Sequence, residues 1–418
     1  MKKSFRSVAI LVLLLTAVAV GSGPSRAQTP AVAGPKVIAG VLQPFVDSHV
    51  LAGAVTLVAS KDKVLDLEAV GYADIAAKKP MRTDGLFWIA SQSKPIAATA
   101  LMMLVDEGKV KVDDAVEKYL PEFTGQMVIA EQNPDHVLLK KPKHPVLIRN
   151  LMTHTSGLRP LTPIEEVAPD RLPLCTAVRS YAMLPLLFEP DSKSLYSNAG
   201  VNTVGRIVEV VSGMPYEEFL DRRLFGPLGM KDTSFRPSAE QLKRLAKSYK
   251  PAAGRTGLEE TPIVKLTYPL DDRRRQARPA GGLFSTAADL LLFYRMIAHG
   301  GVLDGKRYLS AGAVEQMTTK QTGALPSPYG FCFGTGGGRI GHAGSYGTNS
   351  SYDPRHQLIT IYLIQQTGWR HKAGKKILAA VQQAATKAYG AVSPAHVAAT
   401  RVSPEAAQPA AVPANKHD

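Results

Sequence analysis

The stretch that most constrains the fold is residues 87–105, because its apolar residues recur at the spacing of a helix with one buried face. Pro95 has no amide hydrogen and therefore fits only in the first turn of that helix, where the hydrogen would have no partner. Gly108 is a typical helix stop. The sequence thus predicts a helix that starts close to Ser91, with Lys94 about one turn further along the same face. The apolar positions are Ile96, Ala97, Ala100, Leu101, Leu104 and Val105.

Ser91 and Lys94 form a Ser-x-x-Lys pair, in which a lysine can activate a serine. A serine hydroxyl is a poor nucleophile until a neighbouring base removes its proton. Lys94 can be that base if burial and nearby charge lower its pKa toward neutrality. A second pair of the same spacing, Ser60 and Lys63, lies in a polar turn where nothing would desolvate the lysine. We therefore assign the chemistry to the first pair.

Tyr196, Ser197 and Asn198 form a second polar cluster. A loop tyrosine is most often a half-buried packing residue, and this interpretation stays open at the sequence level. Beside a cationic lysine, however, a tyrosine hydroxyl can share or lose its proton and act as a general base in acylation and deacylation. The amide of Asn198 is suited to hold Lys94 in place and to contact a substrate carbonyl.

A third cluster, His342-Ala343-Gly344 followed by Ser345, lies in a strand-like run. We expect His342 to hydrogen-bond a substrate carboxylate or the hydroxyl of Tyr196. Gly344 permits close approach of substrate to the backbone, and the amides of Ser91 and Ser345 are candidates for an oxyanion hole. A similar triplet, His299-Gly300-Gly301, follows a periodic helix and is predicted to be its glycine C-cap.

Composition excludes several kinds of protein. With 418 residues, 45% of them hydrophobic, the chain can bury a large core, and we expect one two-part unit rather than several small modules. The formal net charge is +15, but the basic residues are scattered among acidic ones and form no basic stripe interleaved with aromatics, which disfavours nucleic acid as a partner. Cys175 and Cys332 are predicted to be unpaired because Cys332 lies in an apolar run, with a disulfide as the alternative. No Cys/His spacing indicates a metal site.

Residues 1–27 have the features of a secretory signal peptide. Lys2, Lys3 and Arg6 precede an apolar run of thirteen residues, which is too short to span a bilayer comfortably, and Ser25-Arg26-Ala27 is a small-x-Ala cleavage site. We therefore expect a periplasmic or secreted protein without stable membrane insertion after cleavage; an uncleaved anchor is the alternative. Loss of the four basic residues of this segment would lower the formal charge from +15 to +11.

Strand-like patterns lie at both ends of the sequence and helical patterns lie mainly between them. Because the strand connections are hairpin-like, the sequence predicts an antiparallel sheet to which both ends contribute, covered by helices. The predicted strands are residues 53–59, 64–70, 330–334, 339–344, 348–352 and 358–365. The predicted helices include residues 41–50, residues 204–211 closed by Ser212-Gly213, and residues 287–299 with Thr286 as N-cap.

The fold class predicted from these patterns is α/β of the α+β type. We predict one domain over residues 28–390, with a sheet lobe of about residues 36–90 and 280–390 and a helical lobe of about residues 91–279. Residues 391–418 are rich in Ala and Pro, show no periodicity and are predicted to be a disordered tail.

In their order along the chain, these clusters resemble the serine β-lactamase and penicillin-binding protein superfamily, above all class C β-lactamases, DD-carboxypeptidases, D-aminopeptidases and related carboxylesterases. The resemblance implies that Ser91 is the nucleophile, Lys94 its activator and Tyr196 the general base. It also implies that Asn198 and His342 contact substrate, that no cofactor is needed, and that the fold is β-lactamase/transpeptidase-like, an antiparallel sheet flanked by helices plus a mainly helical lobe. It covers roughly residues 40–390 and is carried by residues 87–96, 147–158, 196–213, 224–230, 281–289 and 341–354.

Two positions depart from the pattern of the family. Class C β-lactamases typically have Lys-Thr-Gly where this chain has His342-Ala343-Gly344, which is similar to the variant of some DD-peptidases and D-aminopeptidases. Near its unperturbed pKa of about 6.5, a histidine is largely neutral and would hold a substrate carboxylate less firmly than lysine does. This counts against efficient β-lactam hydrolysis. Asp191 stands where relatives often have glycine, which would alter the loop before Tyr196.

Together these features predict an exported serine hydrolase that cleaves an ester or amide through an acyl-enzyme on Ser91. The candidate substrates are a short-chain ester, a D-amino-acid peptide or amide, and a β-lactam, in that order. The alternatives are a class C-like β-lactamase and, from a different class, a non-hydrolytic penicillin-binding or sensor protein. A pure binder has no need for Ser91, Lys94 and Tyr196 together, which disfavours the last alternative.

Overall fold

A computed structural model of the chain describes residues 36–167, 170–255, 257–368 and 372–390. The predicted signal peptide, residues 1–27, and the predicted tail, residues 391–418, lie outside the described residues. Both stay predictions, as do the boundaries of the two lobes. Across the described ranges, no helix combines the length and the apolar character needed to cross a membrane.

The two ends of the sequence supply one six-stranded antiparallel sheet, as predicted. In chain order the described strands are β1 (Gly53–Ala59), β2 (Val64–Asp74), β3 (Lys79–Pro80), β4 (Phe87–Trp88), β5 (Val128–Gln132), β6 (Val137–Lys140), β7 (Tyr249–Pro251), β8 (Leu258–Glu260), β9 (Phe284–Ser285), β10 (Val302–Leu303), β11 (Lys306–Arg307), β12 (Ile340–Ala343), β13 (Asn349–Asp353) and β14 (Leu358–Leu363). The large sheet has the order β12-β13-β14-β1-β2-β3, and the remaining strands pair two by two.

Helices cover both faces of this sheet and occupy most of the middle of the sequence. They are α1 (Val37–Asp47), α2 (Ser93–Asp106), α3 (Ile148–Thr153), α4 (Pro163–Val167), α5 (Leu174–Ala182), α6 (Asn198–Ser212), α7 (Tyr216–Leu220), α8 (Gly226–Leu228), α9 (Ala239–Leu242), α10 (Ala287–Ala298), α11 (Ala311–Thr318) and α12 (Lys372–Tyr389). The terminal helices α1 and α12 contact each other and the sheet, α10 contacts β1, β13 and β14, and α6 packs on α2, α3 and α5.

Strand β1 shows why the sheet sits in the centre of the core. All of its residues are buried. Because successive side chains of a strand point to opposite faces, Ala54 and Val58 pack with α1 and α12, whereas Val55 and Leu57 pack in the core that contains α10. A continuous apolar run in a strand is what helices on both faces require. The predicted strand at residues 53–59 is confirmed at both ends.

Helix α2 begins where the sequence predicted, with Pro95 in its first turn, but it is more deeply buried than predicted. Every residue from Ser93 to Leu104 is buried, so the expectation of a single buried face is wrong. The reason is that α2 contacts α6, α11 and β12, and these neighbours leave no side of this stretch exposed. The helix carries no charged residue between Lys94 and Asp106, which fits this central position.

The predicted strand at residues 330–334 is also wrong, because this segment forms a turn. The amide of Gly330 donates to the carbonyl of Phe333 at 2.9 Å, and the amide of Cys332 donates to the carbonyl of Met152 at 2.9 Å. Cys332 has a φ of +59°, and a strand cannot continue through this left-handed conformation. The cysteine itself is fully buried and, like Cys175, unpaired, as predicted.

Candidate active site

Ser91 lies in a 3₁₀ turn, Ala90–Gln92, that connects β4 to α2, and Lys94 is the second residue of α2. The Nζ atom of Lys94 lies 3.1 Å from the Oγ atom of Ser91, which is the contact that the Ser-x-x-Lys spacing predicts. Ala90, directly before the serine, has a φ of +48°, in the left-handed region that residues with a Cβ rarely adopt. The sharp turn at Ala90 thus sets the serine at the start of the helix.

The side chain of Lys94 is fully buried and has two further partners. Its Nζ lies 2.8 Å from Oδ1 of Asn198 and 2.6 Å from the carbonyl oxygen of Ala280. Burial, above all, and the positive charges of Lys265 and Arg278 lower the pKa of Lys94 to about 7. A large fraction of Lys94 is therefore neutral at physiological pH, which is the form that can accept a proton.

The two carbonyl acceptors fix which side of the amine faces the serine. A neutral lysine amine has two N–H groups and one lone pair. When both N–H groups are donated to Asn198 and Ala280, the lone pair is left for the hydroxyl of Ser91, which can donate to it across the 3.1 Å separation. This arrangement equips Lys94 to remove the proton of the serine.

The start of helix α6 brings the second polar cluster to the same place. Ser197 is the N-cap of α6, and its hydroxyl accepts a hydrogen bond from the amide of Gly200 at 3.2 Å. Asn198 follows the cap and reaches Lys94. Tyr196 precedes the cap, and the centroid of its ring lies 4.7 Å from Nζ of Lys94 while 42% of the residue stays exposed.

The third cluster also reaches the serine, because β12 contacts the 3₁₀ turn. A Cβ atom on Gly344 would lie 2.5 Å from the carbonyl oxygen of Ile89, so glycine is needed for the approach of this segment to the backbone before Ser91. The predicted approach of substrate at Gly344 stays a prediction. Within the described residues, the amides of Ser91 and Ser345 donate to no carbonyl oxygen, which leaves both available for the predicted oxyanion hole.

Comparison with known proteins identifies the family. The family model described as Beta-lactamase matches residues 38–385 of this chain. Among curated proteins, the "Uncharacterized protein MT1414" of Mycobacterium tuberculosis is 34% identical over 357 residues, which cover 76% of this chain and 87% of that protein. The chain belongs to the Beta-lactamase family. The β-lactamase/transpeptidase-like fold predicted from the sequence is thereby confirmed.

Relatives within the Beta-lactamase family bear the names of hydrolases and penicillin-binding proteins. Esterase EstB of Burkholderia gladioli is 35% identical over 226 residues, about half of each chain (50% of this one and 54% of the esterase). Penicillin-binding protein 4 of Amycolatopsis lactamdurans is 31% identical over 281 residues, 65% of this chain and 68% of that protein. The solved structure of EstCE1, "a hydrolase with promiscuous acyltransferase activity", matches with a TM-score of 0.70 at 24% identity, over 84% of this chain and 97% of that one. The chain is a serine hydrolase of the Beta-lactamase family.

A run of hydrogen bonds that the sequence did not reveal connects two loops of this family member to β12. The amide of Ser197 donates to Nδ1 of His154 at 3.2 Å, and Nε2 of His154 lies 3.2 Å from the hydroxyl of Tyr329. The same hydroxyl lies 2.9 Å from Nε2 of His342, whose Nδ1 lies 2.8 Å from the carbonyl of Ala343. We call His154, Tyr329 and His342 the histidine–tyrosine chain. Both ring nitrogens of His342 therefore have protein partners.

Sequence reasoning missed His154 and Tyr329. Residues 147–158 were recognised as similar to the family, yet nothing in the spacing of His154 or Tyr329 points to a partner 175 positions away. Burial first, and then the charges of Lys94 and His342, hold the pKa of His154 well below its usual value. Burial raises the pKa of Tyr329 well above the usual value of a tyrosine. The ring of Tyr196 lies 4.4 Å from that of His154 and 6.1 Å from that of His342, centroid to centroid.

The carbonyl of Ala280 was also missed, and a buried polar network holds it in place. Oδ1 of Asn202 accepts from the amide of Ala280 at 3.1 Å, and Nδ2 of Asn202 donates to the hydroxyl of Tyr181 at 2.9 Å. That hydroxyl donates to Glu165 at 2.6 Å, and Glu165 pairs with Arg278 at 2.7 Å. A signal for this network did exist, since Asn202 follows Asn198 at the four-residue spacing of one helix face.

Asp191, which departs from the glycine common in the family, has a φ of +65°. This left-handed conformation explains why glycine suits the position. The carboxylate of Asp191 accepts hydrogen bonds from Nδ2 of Asn150 at 2.7 Å and from the hydroxyl of Thr155 at 3.0 Å. The aspartate thus ties the loop before Tyr196 to the segment that carries His154.

The second Ser-x-x-Lys pair, Ser60 and Lys63, and the triplet His299-Gly300-Gly301 were not assigned to the site from the sequence. Both have structural roles. The hydroxyl of Ser60 accepts a hydrogen bond from the amide of Lys63 at 3.0 Å in an exposed turn, so this second Ser-x-x-Lys pair holds no buried lysine. His299 is the C-cap of α10 and Gly300 follows with a φ of +63°. Both interpretations made from the sequence are confirmed.

Proposed function

We propose that the chain hydrolyses esters through an acyl-enzyme on Ser91, with D-amino-acid peptides or amides as the second substrate class. The observation that carries this proposal is the state of Lys94, which is fully buried, 3.1 Å from the Oγ of Ser91 and lowered in pKa to about 7. A buried lysine that only supports a fold is normally paired with a carboxylate. Lys94 faces two neutral carbonyl oxygens and a hydroxyl instead.

In the acylation step, Lys94 takes the hydroxyl proton of Ser91 as Oγ forms a bond to the carbonyl carbon of the substrate. The carbonyl electron pair moves onto oxygen, where the amides of Ser91 and Ser345 would stabilise the negative charge. When the tetrahedral intermediate collapses, the bond to the leaving group breaks and the leaving group takes the proton by way of Tyr196. The acyl group stays on Oγ of Ser91.

In the deacylation step, water replaces the alcohol. The ring of Tyr196 lies beside the amine of Lys94, and 42% of the residue is exposed. Its hydroxyl would take a proton from a water molecule that attacks the acyl carbon while it passes its own proton to the neutral amine of Lys94. The ester bond to Oγ breaks, the acid is released and Oγ of Ser91 takes the proton from Lys94. The site would thus return to its starting state with Lys94 neutral.

The names of the relatives support an ester or a peptide as substrate. EstB is called an esterase, and the Amycolatopsis relative is called a penicillin-binding protein. His342 in place of the family lysine weakens the anchor for a carboxylate, which counts against a β-lactamase. These observations together rank the ester first.

The decisive experiment is labelling with a fluorophosphonate probe, combined with assays of p-nitrophenyl acetate, nitrocefin and a fluorescent penicillin. We expect the wild type to be labelled and to hydrolyse the acetate, and Ser91→Ala to lose both properties. Ser60→Ala is the matched control, because it alters the other Ser-x-x-Lys pair and should keep full activity. Unchanged hydrolysis by Ser91→Ala would refute the proposal, and stable penicillin labelling without turnover of any substrate would favour the sensor.

We further propose that the protein acts outside the cytoplasm, in the periplasm or the medium. This proposal rests on the basic, apolar and small-residue parts of residues 1–27. N-terminal sequencing of the protein recovered from cells should start at Gln28, and the protein should be found in the periplasmic or medium fraction. A cytoplasmic protein that keeps residues 1–27 would contradict it.

A further inference from the structure

Both ends of the histidine–tyrosine chain are fixed by backbone groups that have only one possible role. The amide of Ser197 can only donate, so Nδ1 of His154 carries no proton and the neutral ring carries it on Nε2. The carbonyl of Ala343 can only accept, so Nδ1 of His342 carries the proton and Nε2 is left as the acceptor. The two histidines therefore hold opposite tautomers.

The hydroxyl of Tyr329 joins these two tautomers without conflict. It accepts from Nε2 of His154 at 3.2 Å and donates to Nε2 of His342 at 2.9 Å. Because burial raises the pKa of Tyr329, its proton stays on oxygen and is available for donation to His342. Every donor in the chain meets an acceptor, with one proton per contact.

A proton added to His342 would break this order. A second N–H, on Nε2, would point at the oxygen of Tyr329, whose own proton would then have to turn toward His154. Nε2 of His154 already carries a proton, which cannot move to Nδ1 because the amide of Ser197 points there. Four other charged or titratable groups lie around His342. They are the amine of Lys94, the hydroxyl of Tyr196, the guanidinium of Arg339, which lines the same cavity, and the hydroxyl of Tyr294, which is hydrogen-bonded to the backbone of His342. The positive charges of Lys94 and Arg339 oppose a further positive charge on His342.

We propose that His154 and Tyr329 hold His342 neutral, with both ring nitrogens engaged, so that the site selects uncharged esters over substrates that carry a carboxylate next to the scissile bond. The inference rests on the proposed function and narrows its substrate class. It replaces the sequence-based expectation that His342 binds a substrate carboxylate. Lys265 is exposed and close enough to affect the pKa of Lys94, which makes it the rival partner for such a carboxylate.

The test uses two nearly isosteric aryl acetates, 3-carbamoylphenyl acetate and 3-carboxyphenyl acetate, which differ in one charge. We expect the wild type to prefer the carbamoyl ester by about tenfold or more in kcat/KM, the size of one charge-assisted hydrogen bond. In Tyr329→Phe, Nε2 of His342 becomes free to take a proton. The preference for the carbamoyl ester should then become smaller, because the KM for the carboxylate ester falls. This decrease should be larger at pH 6 than at pH 8.

The matched control is Tyr308→Phe, which removes a half-buried hydroxyl that donates to the carbonyl of Pro227 at 2.8 Å and is not part of the histidine–tyrosine chain. It should keep the wild-type preference. Equal use of both esters by the wild type would overturn the proposal, and so would an unchanged preference in an active Tyr329→Phe enzyme. If the carboxylate ester is used well and Lys265→Gln abolishes that use, the carboxylate is held at Lys265 and the selection proposed for His342 is wrong.

A second measurement is independent of turnover and keeps this inference separate from the proposed hydrolysis. Long-range ¹H–¹⁵N correlation spectra of histidine-labelled protein, assigned with His154→Gln and His342→Gln, report the tautomer and protonation state of each ring. We expect His154 as the Nε2–H form and His342 as the neutral Nδ1–H form at pH 6, with His342 protonated at that pH in Tyr329→Phe. A cationic His342 in the wild type at pH 6 would refute the proposal that His342 is held neutral, even if the enzyme hydrolyses esters.

Discussion

The carbonyl oxygen of Ala280 lies 2.6 Å from the Nζ atom of Lys94, and it holds the amine without carrying a charge. A carboxylate in the same place would stabilise the ammonium form and raise the pKa of the lysine. Together with the amide oxygen of Asn198, at 2.8 Å, the carbonyl satisfies the hydrogen bonds of the buried amine, while burial is left to lower its pKa. Neutral acceptors are therefore what let a fully buried lysine serve as a base.

The first prediction concerns pH. Because the proposed base is neutral Lys94 and its pKa is lowered to about 7, kcat/KM should be lost as the pH falls through about 7 and should level off above it. Lys265→Gln removes a positive charge that lowers this pKa, so the acid limb should move to higher pH by about 0.3 unit, a small shift because Lys265 is exposed and screened. Lys63→Gln, in the exposed turn, should leave the limb in place. A shift to lower pH in Lys265→Gln would contradict the assignment.

The second prediction concerns Asn202, which touches Ala280 and Tyr181 but not the serine. Asn202→Leu leaves the buried amide of Ala280 without an acceptor and removes one of the two hydrogen bonds of the Tyr181 hydroxyl, which should lower the free energy of unfolding by about 1–3 kcal/mol. It should also lower kcat about tenfold with little change in KM, because the Ala280 carbonyl is no longer fixed against Lys94. Thr203→Ala, the next buried polar residue of α6, should reduce stability but leave kcat near the wild-type value. Equal kcat losses in both variants would show that Asn202 has only a general structural role.

Local signals in the sequence were enough to predict β1, α2 and α10, but not the start of α6 at Asn198, six residues before the predicted helix of residues 204–211. Alternation and turn residues gave β1, Pro95 and the apolar spacing gave the start of α2, and Thr286 was correctly predicted as the N-cap of α10. In each case the determining contacts lie within a few residues of each other. The serine and its lysine are one helical turn apart, so their contact follows from the secondary structure alone.

The remaining parts of the site depend on contacts between distant positions that no local pattern encodes. The carbonyl of Ala280 is a backbone group that any residue could supply, and it meets Lys94 across 186 positions. His154 and Tyr329 meet across 175 positions. Residues 330–334 were predicted as a strand because of their apolar residues. The left-handed backbone at Cys332, which ends such a strand, is imposed by tertiary packing and has no signal in the local sequence.

The third prediction concerns Gly344. In Gly344→Ala the added Cβ would lie 2.5 Å from the carbonyl oxygen of Ile89, so backbone must shift beside Ser91. We expect a kcat/KM at least tenfold lower and a free energy of unfolding reduced by about 1–3 kcal/mol, the usual range for overpacking. Gly40→Ala is the control, because nothing lies within 4 Å of its added Cβ, and alanine in α1 should stabilise by about 0.5–1 kcal/mol. Wild-type activity in Gly344→Ala would show that the segment can retreat without moving Ser91.

The fourth prediction concerns two buried carboxyl groups on β2, remote from the serine in sequence. Glu68 accepts a hydrogen bond from the amide of Ala39 in the first turn of α1, and Oδ2 of Asp66 lies 3.3 Å from the hydroxyl of Tyr389 at the end of α12. Burial, above all, and the neighbouring charge of Glu68 raise the pKa of Asp66 to about 6. The folded protein thus holds this proton over a range in which the unfolded chain has released it.

Asp66 should therefore make the protein less stable as the pH rises from about 4 to about 6, with no further effect above that window. Asp66→Asn removes the charge but keeps an acceptor for Tyr389, so it should raise the free energy of unfolding at pH 7.5 by about 1–2 kcal/mol and flatten this part of the pH dependence. Urea unfolding at pH 4.5, 6 and 7.5 measures both effects. Asp135→Asn, in the exposed turn between β5 and β6, should change neither. Destabilisation by Asp66→Asn at pH 7.5 would mean that the charged carboxylate is favourably held between α1 and α12.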